Sequence, residues 1–197
     1  MKRSILFCVL TGILAAGPAQ ASFDLWLVSE VYSNADGSVQ FVEFSTAADG
    51  QQFLINQQLQ ALTEGFPETI YTFPTSLVVG SGESTADRHF LFASPGFESV
   101  AGIAPDYEWT GIYPFIHLGL NDLITLLGAD SIGLANLPTD GAHSLLGDEA
   151  TIAVPTPTNF AGETGTLPEA GTSALGVVAS ACLAALAARR KRQNGLR

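Results

Sequence analysis

The chain reads as an all-β sandwich, and three observations carry that expectation. Between two apolar termini, apolar residues recur at every second position in runs rich in Val, Ile, Phe and Tyr, with turn residues between the runs. No stretch of this middle region sustains a 3.6-residue period. At 197 residues, 47% hydrophobic and 14% charged, the chain has room for one ordinary domain plus accessory segments.

Candidate strands run over residues 25–32, 39–46, 69–73, 89–93, 107–111, 123–127, 131–137 and 151–154, short segments of the kind that build a sandwich. Residues 51–61 show no clean alternation and are expected to form a short helical or irregular excursion. Residues 155–167, rich in Pro, Gly and Thr and free of cations, are expected to be an extended linker. The resulting division is a signal peptide over 1–21, the β-domain over 22–154, the linker over 155–167 and a C-terminal signal over 168–197.

The N-terminus has the three parts of a secretory signal. Lys2 and Arg3 hold the first residues inside, the apolar run that follows is too short to span a bilayer stably, and Ala19 and Ala21 present the small side chains that a signal peptidase accepts. Cleavage is expected after Ala21, which removes Cys8; Cys182 lies in the C-terminal apolar run, so the exported domain holds no cysteine and depends on packing alone. That C-terminal run, Thr172 to Ala188, would reach only about 25 Å as a helix, a marginal span for a hydrocarbon core of about 30 Å. Arg189, Arg190, Lys191 and Arg192 follow it as a membrane stop that stays cytoplasmic, leaving the acidic domain outside.

Charge is distributed in one sense. All nineteen acids fall between Asp24 and Glu169, where the one cation is Arg88. Such a surface cannot neutralise a phosphate backbone, which excludes nucleic acid as a partner.

The pentapeptide Leu167-Pro168-Glu169-Ala170-Gly171, the weak apolar helix and the Arg-rich end together resemble the tripartite sorting signals of bacterial surface proteins. Exosortase substrates of the PEP-CTERM type carry Pro-Glu-Pro here, with Ala170 standing at the third position of this chain; sortase substrates carry Leu-Pro-any-Thr-Gly, with Ala170 in place of the threonine. The alanine-rich helix and basic end are closer to the exosortase type, and a short anchor that is never cut is the plain alternative. The resemblance implies signal peptidase and an exosortase-type or sortase-type enzyme as processing partners, exopolysaccharide as a neighbour, and a chain held transiently at the inner membrane before it reaches the cell surface or medium.

The domain itself resembles lamin-tail-like domains. Val28-Ser29-Glu30-Val31-Tyr32 followed by Gln40-Phe41-Val42-Glu43-Phe44 is similar to their opening hairpin, Thr72-Phe73-Pro74 and Phe90-Leu91-Phe92-Ala93 to a later turn and buried strand, and His143-Ser144-Leu145 with Thr156-Pro157-Thr158 to their ending. The resemblance implies an immunoglobulin-like sandwich and a non-catalytic module of an exported protein.

Asp36-Gly37 predicts a two-residue type I′ turn, which sets Tyr32 opposite Phe41, Val31 opposite Val42 and Glu30 directly opposite Glu43. Facing carboxylates repel unless a cation, a shared proton or solvent relieves them. Arg88 or a bound Ca²⁺ is the bridging expectation, the latter being the sole candidate cofactor; a shifted register or a wet face is the alternative. The same pair would suit an exported polysaccharide hydrolase, whose retaining form holds two carboxyls about 5 to 5.5 Å apart. Asn34, Asp36 and Ser38 read as turn chemistry. No nucleophile elbow, zinc-protease helix, cysteine pair or phosphate loop occurs, and His89, His117 and His143 lie on separate segments. Tyr107, Trp109 and Tyr113 would share one face of an extended segment and could stack on sugar rings or fill the core. The expectation is a non-catalytic surface or matrix protein, against a Ca²⁺-dependent or carbohydrate-binding adhesion module and a hydrolase using Glu30 and Glu43.

Overall fold

The computed structural model describes residues 23–112, 114–117 and 123–167. The segments expected as signal peptide and transmembrane helix lie outside that range, with Ala19, Ala21, Pro168, Glu169, Ala170, Gly171, Arg189, Arg190, Lys191 and Arg192. Among the described residues no helix is long and apolar enough to cross a membrane.

Ten strands form two sheets, in keeping with an all-β sandwich. In order along the chain they are β1 (Leu27–Ser33), β2 (Gln40–Thr46), β3 (Gln58–Leu62), β4 (Thr69–Thr72), β5 (Arg88–Ala93), β6 (Tyr107–Glu108), β7 (Leu123–Leu126), β8 (Asp130–Gly133), β9 (Ser144–Leu146) and β10 (Ile152–Ala153). One sheet is ordered β10-β9-β1-β2-β5-β6 and the other β4-β3-β7-β8. Every pairing is antiparallel except β5 with β6. Two strands fall where the sequence had not placed them. β3 lies within and just past the stretch expected as an excursion, because Leu59 and Ala61 face inward while glutamines flank them, and β9 is only three residues long.

The main core lies between the sheets. Val28, Val31, Val42, Phe44, Phe90 and Phe92 from the six-stranded sheet meet Leu59, Ala61, Ile124, Leu126 and Ile132 from the other. Phe90 is its hub: it stacks on Phe44 at 4.5 Å and meets the edge of Trp26 at 4.8 Å. Trp26 satisfies its indole N–H on the Gln51 carbonyl at 2.7 Å, as a fully buried indole must.

Val28 and Val31, three apart, share this inward face because β1 bulges at Ser29. The register runs Val28 to Phe44 and then Glu30 to Glu43, leaving Ser29 as an extra residue. The Ser29 carbonyl accepts from Gly147 N–H at 2.9 Å, and a Cβ at Gly147 would lie 2.1 Å from the Val28 carbonyl oxygen, so only glycine admits this approach.

A second apolar cluster covers the other face of the six-stranded sheet. Helix α1 (Phe97–Ala101), flanked by Gly96 and Gly102 in the left-handed conformation, lays Phe97 and Ala101 with Ile103 over Tyr32, Phe41, Leu91 and Ala93. Residues 155–167, expected as a free linker, also pack here. Leu167 joins the second cluster, Asn159 is buried and Thr158 bridges Thr164, while Phe160 turns into the main core. The departure has a physical cause: alternate amides of this segment find buried carboxylate acceptors on and beside the sheet.

Candidate functional site

Glu30 and Glu43 are directly opposed on β1 and β2, as the hairpin reading expected, but the turn between them differs. Instead of a two-residue turn at Asp36-Gly37, a four-residue loop spans 35–38, closed by Asn34 N–H to the Val39 carbonyl at 3.0 Å. Side chains supply what the tighter turn would: Asn34 Oδ1 accepts from Val39 N–H, and Asp36 Oδ1 accepts from both the backbone and hydroxyl of Ser38. A symmetric four-residue loop preserves the same pairing, with Gly37 taking the one positive φ.

Both carboxylates are buried, at 3% and 4% exposure, on the sheet face away from the main core. Glu30 accepts from the Ser144 hydroxyl of β9, and Thr156 N–H approaches its two oxygens at 3.3 and 3.4 Å. Glu43 accepts from the Ser29 hydroxyl at 2.7 Å and from Thr158 N–H at 2.6 Å, while His89 Nδ1 of β5 lies 2.9 Å from its Oε1. The bulge is what turns Ser29 toward this face. His89 is placed by the β2–β5 register: Leu91 lies opposite Glu43 and His89 opposite Ser45, so His89 is the diagonal neighbour of Glu43.

Burial dominates the Glu30 environment and raises its pKa from 4.5 to about 7, with the Glu43 charge adding to the rise and the Ser144 hydroxyl opposing it. The hydrogen bond to Glu43 raises the His89 imidazole above its ordinary value. Both shifts favour the protonated forms, a proton on Glu30 lowering the charge that burial penalises and a proton on His89 pairing with Glu43.

Arg88 does not bridge the pair. It makes a long ion pair with Glu83 at 3.7 Å, donates to the Phe160 carbonyl at 3.1 Å and lies 5.5 Å from the centre of the Phe160 ring. Its strand neighbour His89 faces the carboxylates instead, since adjacent residues point to opposite faces. The surroundings do not suit Ca²⁺ either. The cation requires a shell of oxygen ligands, whereas two backbone amides and two hydroxyls donate hydrogens into Glu30 and Glu43. Among the described residues no group of three or more His, Cys, Asp or Glu is placed to hold a metal.

The residues that sequence reading missed are those of the 155–167 strap. Thr156 N–H reaches Glu30, Thr158 N–H reaches Glu43, and Phe160 N–H reaches Asp106 Oδ2 at 2.9 Å, so three alternate amides are held by three carboxylates. Asp106 also accepts Leu91 N–H at 2.8 Å, and burial raises its pKa. The signal was present in Pro155-Thr156-Pro157-Thr158: alternate amides of an extended chain point the same way, and the prolines remove donors on the opposite side.

The proposed stacking residues separate. Tyr107 is buried in the core, 4.8 Å from the Phe73 ring, and its hydroxyl donates to the Thr75 carbonyl at 2.9 Å, so it presents no face to a sugar. Tyr113 lies outside the described residues. Trp109 is half-buried against Phe115, folds closely over Gly111, and lines a groove of about 480 Å³ with Phe66, Ile70, Ile112 and His117. Phe66 stacks flat on His117 at 4.8 Å, and Ile112 is 95% exposed. His143 pairs locally with Asp140 at 2.6 Å.

Comparison of the chain with protein-family models, with curated proteins and with solved structures returns no match.

Proposed function

We propose that the protein is an exported, non-catalytic component of a cell surface or extracellular matrix, an immunoglobulin-like, lamin-tail-type sandwich sorted through its C-terminal signal. In this reading residues 1–21 are removed on export, the run after Gly171 holds the chain briefly in the inner membrane, and an exosortase-type or sortase-type enzyme acts within Leu167-Pro168-Glu169-Ala170-Gly171. One observation carries it: the packed part of the chain continues to Leu167, which rests on the second apolar cluster, while Thr166 N–H is tied to the Ala101 carbonyl at 3.2 Å. A cut just beyond Leu167 would cost the domain none of these contacts. Support for a structural role of Glu30 and Glu43 comes from their burial and from the Ser29 and Ser144 hydroxyls and the strap amides that donate to them. A hydrolase would need the pair on the wall of a cleft. Intact mass of the protein from its native host, with membrane and extracellular fractions separated, tests the proposal. An extracellular chain beginning at Ser22 and ending within 168–171 is expected; a chain in the membrane fraction that still ends at Arg197 would overturn it.

A second reading, a carbohydrate-binding adhesion module, is favoured by the groove beside Trp109. Its ring, the Phe66–His117 stack and Ile112 offer apolar surface of the kind on which sugar rings stack, with the Glu68 carboxylate beside them as an acceptor. Titration with neutral oligosaccharides, followed by tryptophan fluorescence and compared with Trp109→Ala, would detect such binding.

A further inference from the structure

We infer that the 155–158 part of the strap is a pH-gated latch, closed over the six-stranded sheet while the Glu30–Glu43 pair carries one negative charge and released when it carries two. The latch stands independently of the sorting proposal.

Its basis is the way the strap is held. Thr156 and Thr158 cross the outer face of β1 and β2 by donating backbone N–H groups to Glu30 and Glu43, two carboxylates opposed across one hairpin and both buried. With one proton in the pair the amides, the Ser29 and Ser144 hydroxyls and His89 suffice to hold the remaining charge. Two buried charges on adjacent strands repel at short range, and lifting the strap would admit water to both. Glu30 is placed for this change, because burial brings its titration to about pH 7.

The charged groups around the pair act in the same sense or stay constant. His89, on β5, is the cation facing Glu43, and it loses its proton as pH rises, leaving the second charge uncompensated. β9 contributes the Ser144 hydroxyl and the bulge the Ser29 hydroxyl, neither of which titrates here. Farther along the strap Asp106 and Arg88 hold the two sides of Phe160, Arg88 leans on Glu83, and Glu163 accepts from Asn159 Nδ2 at 2.9 Å. These contacts lie beyond the carboxylate pair, so the Phe160 end remains fastened while the Thr156–Thr158 end lifts.

Hydrogen exchange on the full chain, expressed as protection relative to the free-peptide rate at each pH, reads the latch directly. Protection of the Thr156 and Thr158 amides is expected to fall by up to about tenfold per pH unit as pH rises toward the Glu30 midpoint, the slope for one proton released on opening, and to level off above it. Phe160 and the β2 amides should keep theirs, and Glu30→Gln should hold Thr156 and Thr158 closed at pH 8. Constant protection across pH 5.5–8.5 would overturn the latch, as would a loss shared with β2, which signals global unfolding, or a loss unchanged in Glu30→Gln, which assigns the effect to His89. Should Glu30→Gln fail to fold, the Glu30 carboxyl ¹³C shift decides. A titration coincident with loss of Thr158 protection supports the latch, and a flat shift refutes it.

Discussion

In the four-stranded sheet Gln58, Gln60 and Thr125 alternate with buried Leu59, Ala61, Ile124 and Leu126, so one face packs on the core and the other meets solvent. The six-stranded sheet has no such division: opposite the core side it carries Tyr32, Phe41 and Leu91 together with Glu30 and Glu43, and α1 and the strap cover all of them. A polar residue at every second position therefore marks a wet face only when nothing returns to cover it. Here the cover arrives from residues 97–103 and 155–167, far along the chain from the hairpin that it protects.

Breaking the core that the sheets share should have the largest effect. Phe90→Ala is expected to destabilise the domain by about 4 kcal/mol, because it deletes the ring that holds Trp26 and Phe44, whereas Thr125→Ala on the wet face should cost less than about 0.5 kcal/mol. Urea denaturation of the two variants measures the contrast.

The second test uses pH. A carboxyl whose folded pKa lies above its unfolded value stabilises the fold fully below the unfolded value, and that stability disappears as pH rises through the folded one. For Glu30, moving from 4.5 to about 7, the loss is about 3 kcal/mol between pH 4.5 and pH 8. His89 and Asp106 are shifted upward and act in the same direction. On the exposed loops the opposite holds, since hydroxyls of Ser38, Ser84 and Thr151 and the His143 ring depress Asp36, Asp49, Asp148 and Asp140. Their contribution vanishes only under stronger acid. Stability should therefore peak in the mildly acidic range, and Glu30→Gln should flatten the decline toward pH 8 in urea midpoints.

A smaller loss, about 2 kcal/mol, is expected for Glu43→Leu, which leaves Thr158 N–H, the Ser29 hydroxyl and His89 without their acceptor. A thermal melt at pH 5 reads it. Asn34→Ala should cost least, about 1 kcal/mol, by removing the acceptor that holds Val39 N–H across the hairpin loop. A shift in the urea midpoint with an unchanged slope would confirm a purely local effect.

What could be read in the sequence follows the same division. The β1–β2 pairing, including Glu30 against Glu43, was legible because a symmetric loop fixes register whether it closes with two residues or four. β4, β5 and β7 were legible from their alternation. β3 was not, since glutamines interrupt its apolar pattern and its partners are 8 to 67 residues away. The bulge at Ser29 left no mark, because a single inserted residue changes parity without changing composition. His89 was read only as a histidine on a separate segment, because its pairing with Glu43 is set by a β2–β5 register that no turn dictates. The strap was read as a linker from its prolines, although their alternation with threonines was the visible trace of a segment donating amides from one side only.

The three carboxylates that grip the strap do so through neutral amides, with no lysine and one arginine among the described residues to serve as counter-charges. Ordinary ion pairs weaken in brine because mobile ions screen them, but a dipole meeting a charge inside the protein is beyond the reach of that screening. Added salt instead quiets the mutual repulsion of the many exposed acids. This construction gives the domain an interior indifferent to ionic strength and an exterior that gains from it, so its fold should tighten where one stitched together by surface ion pairs would loosen.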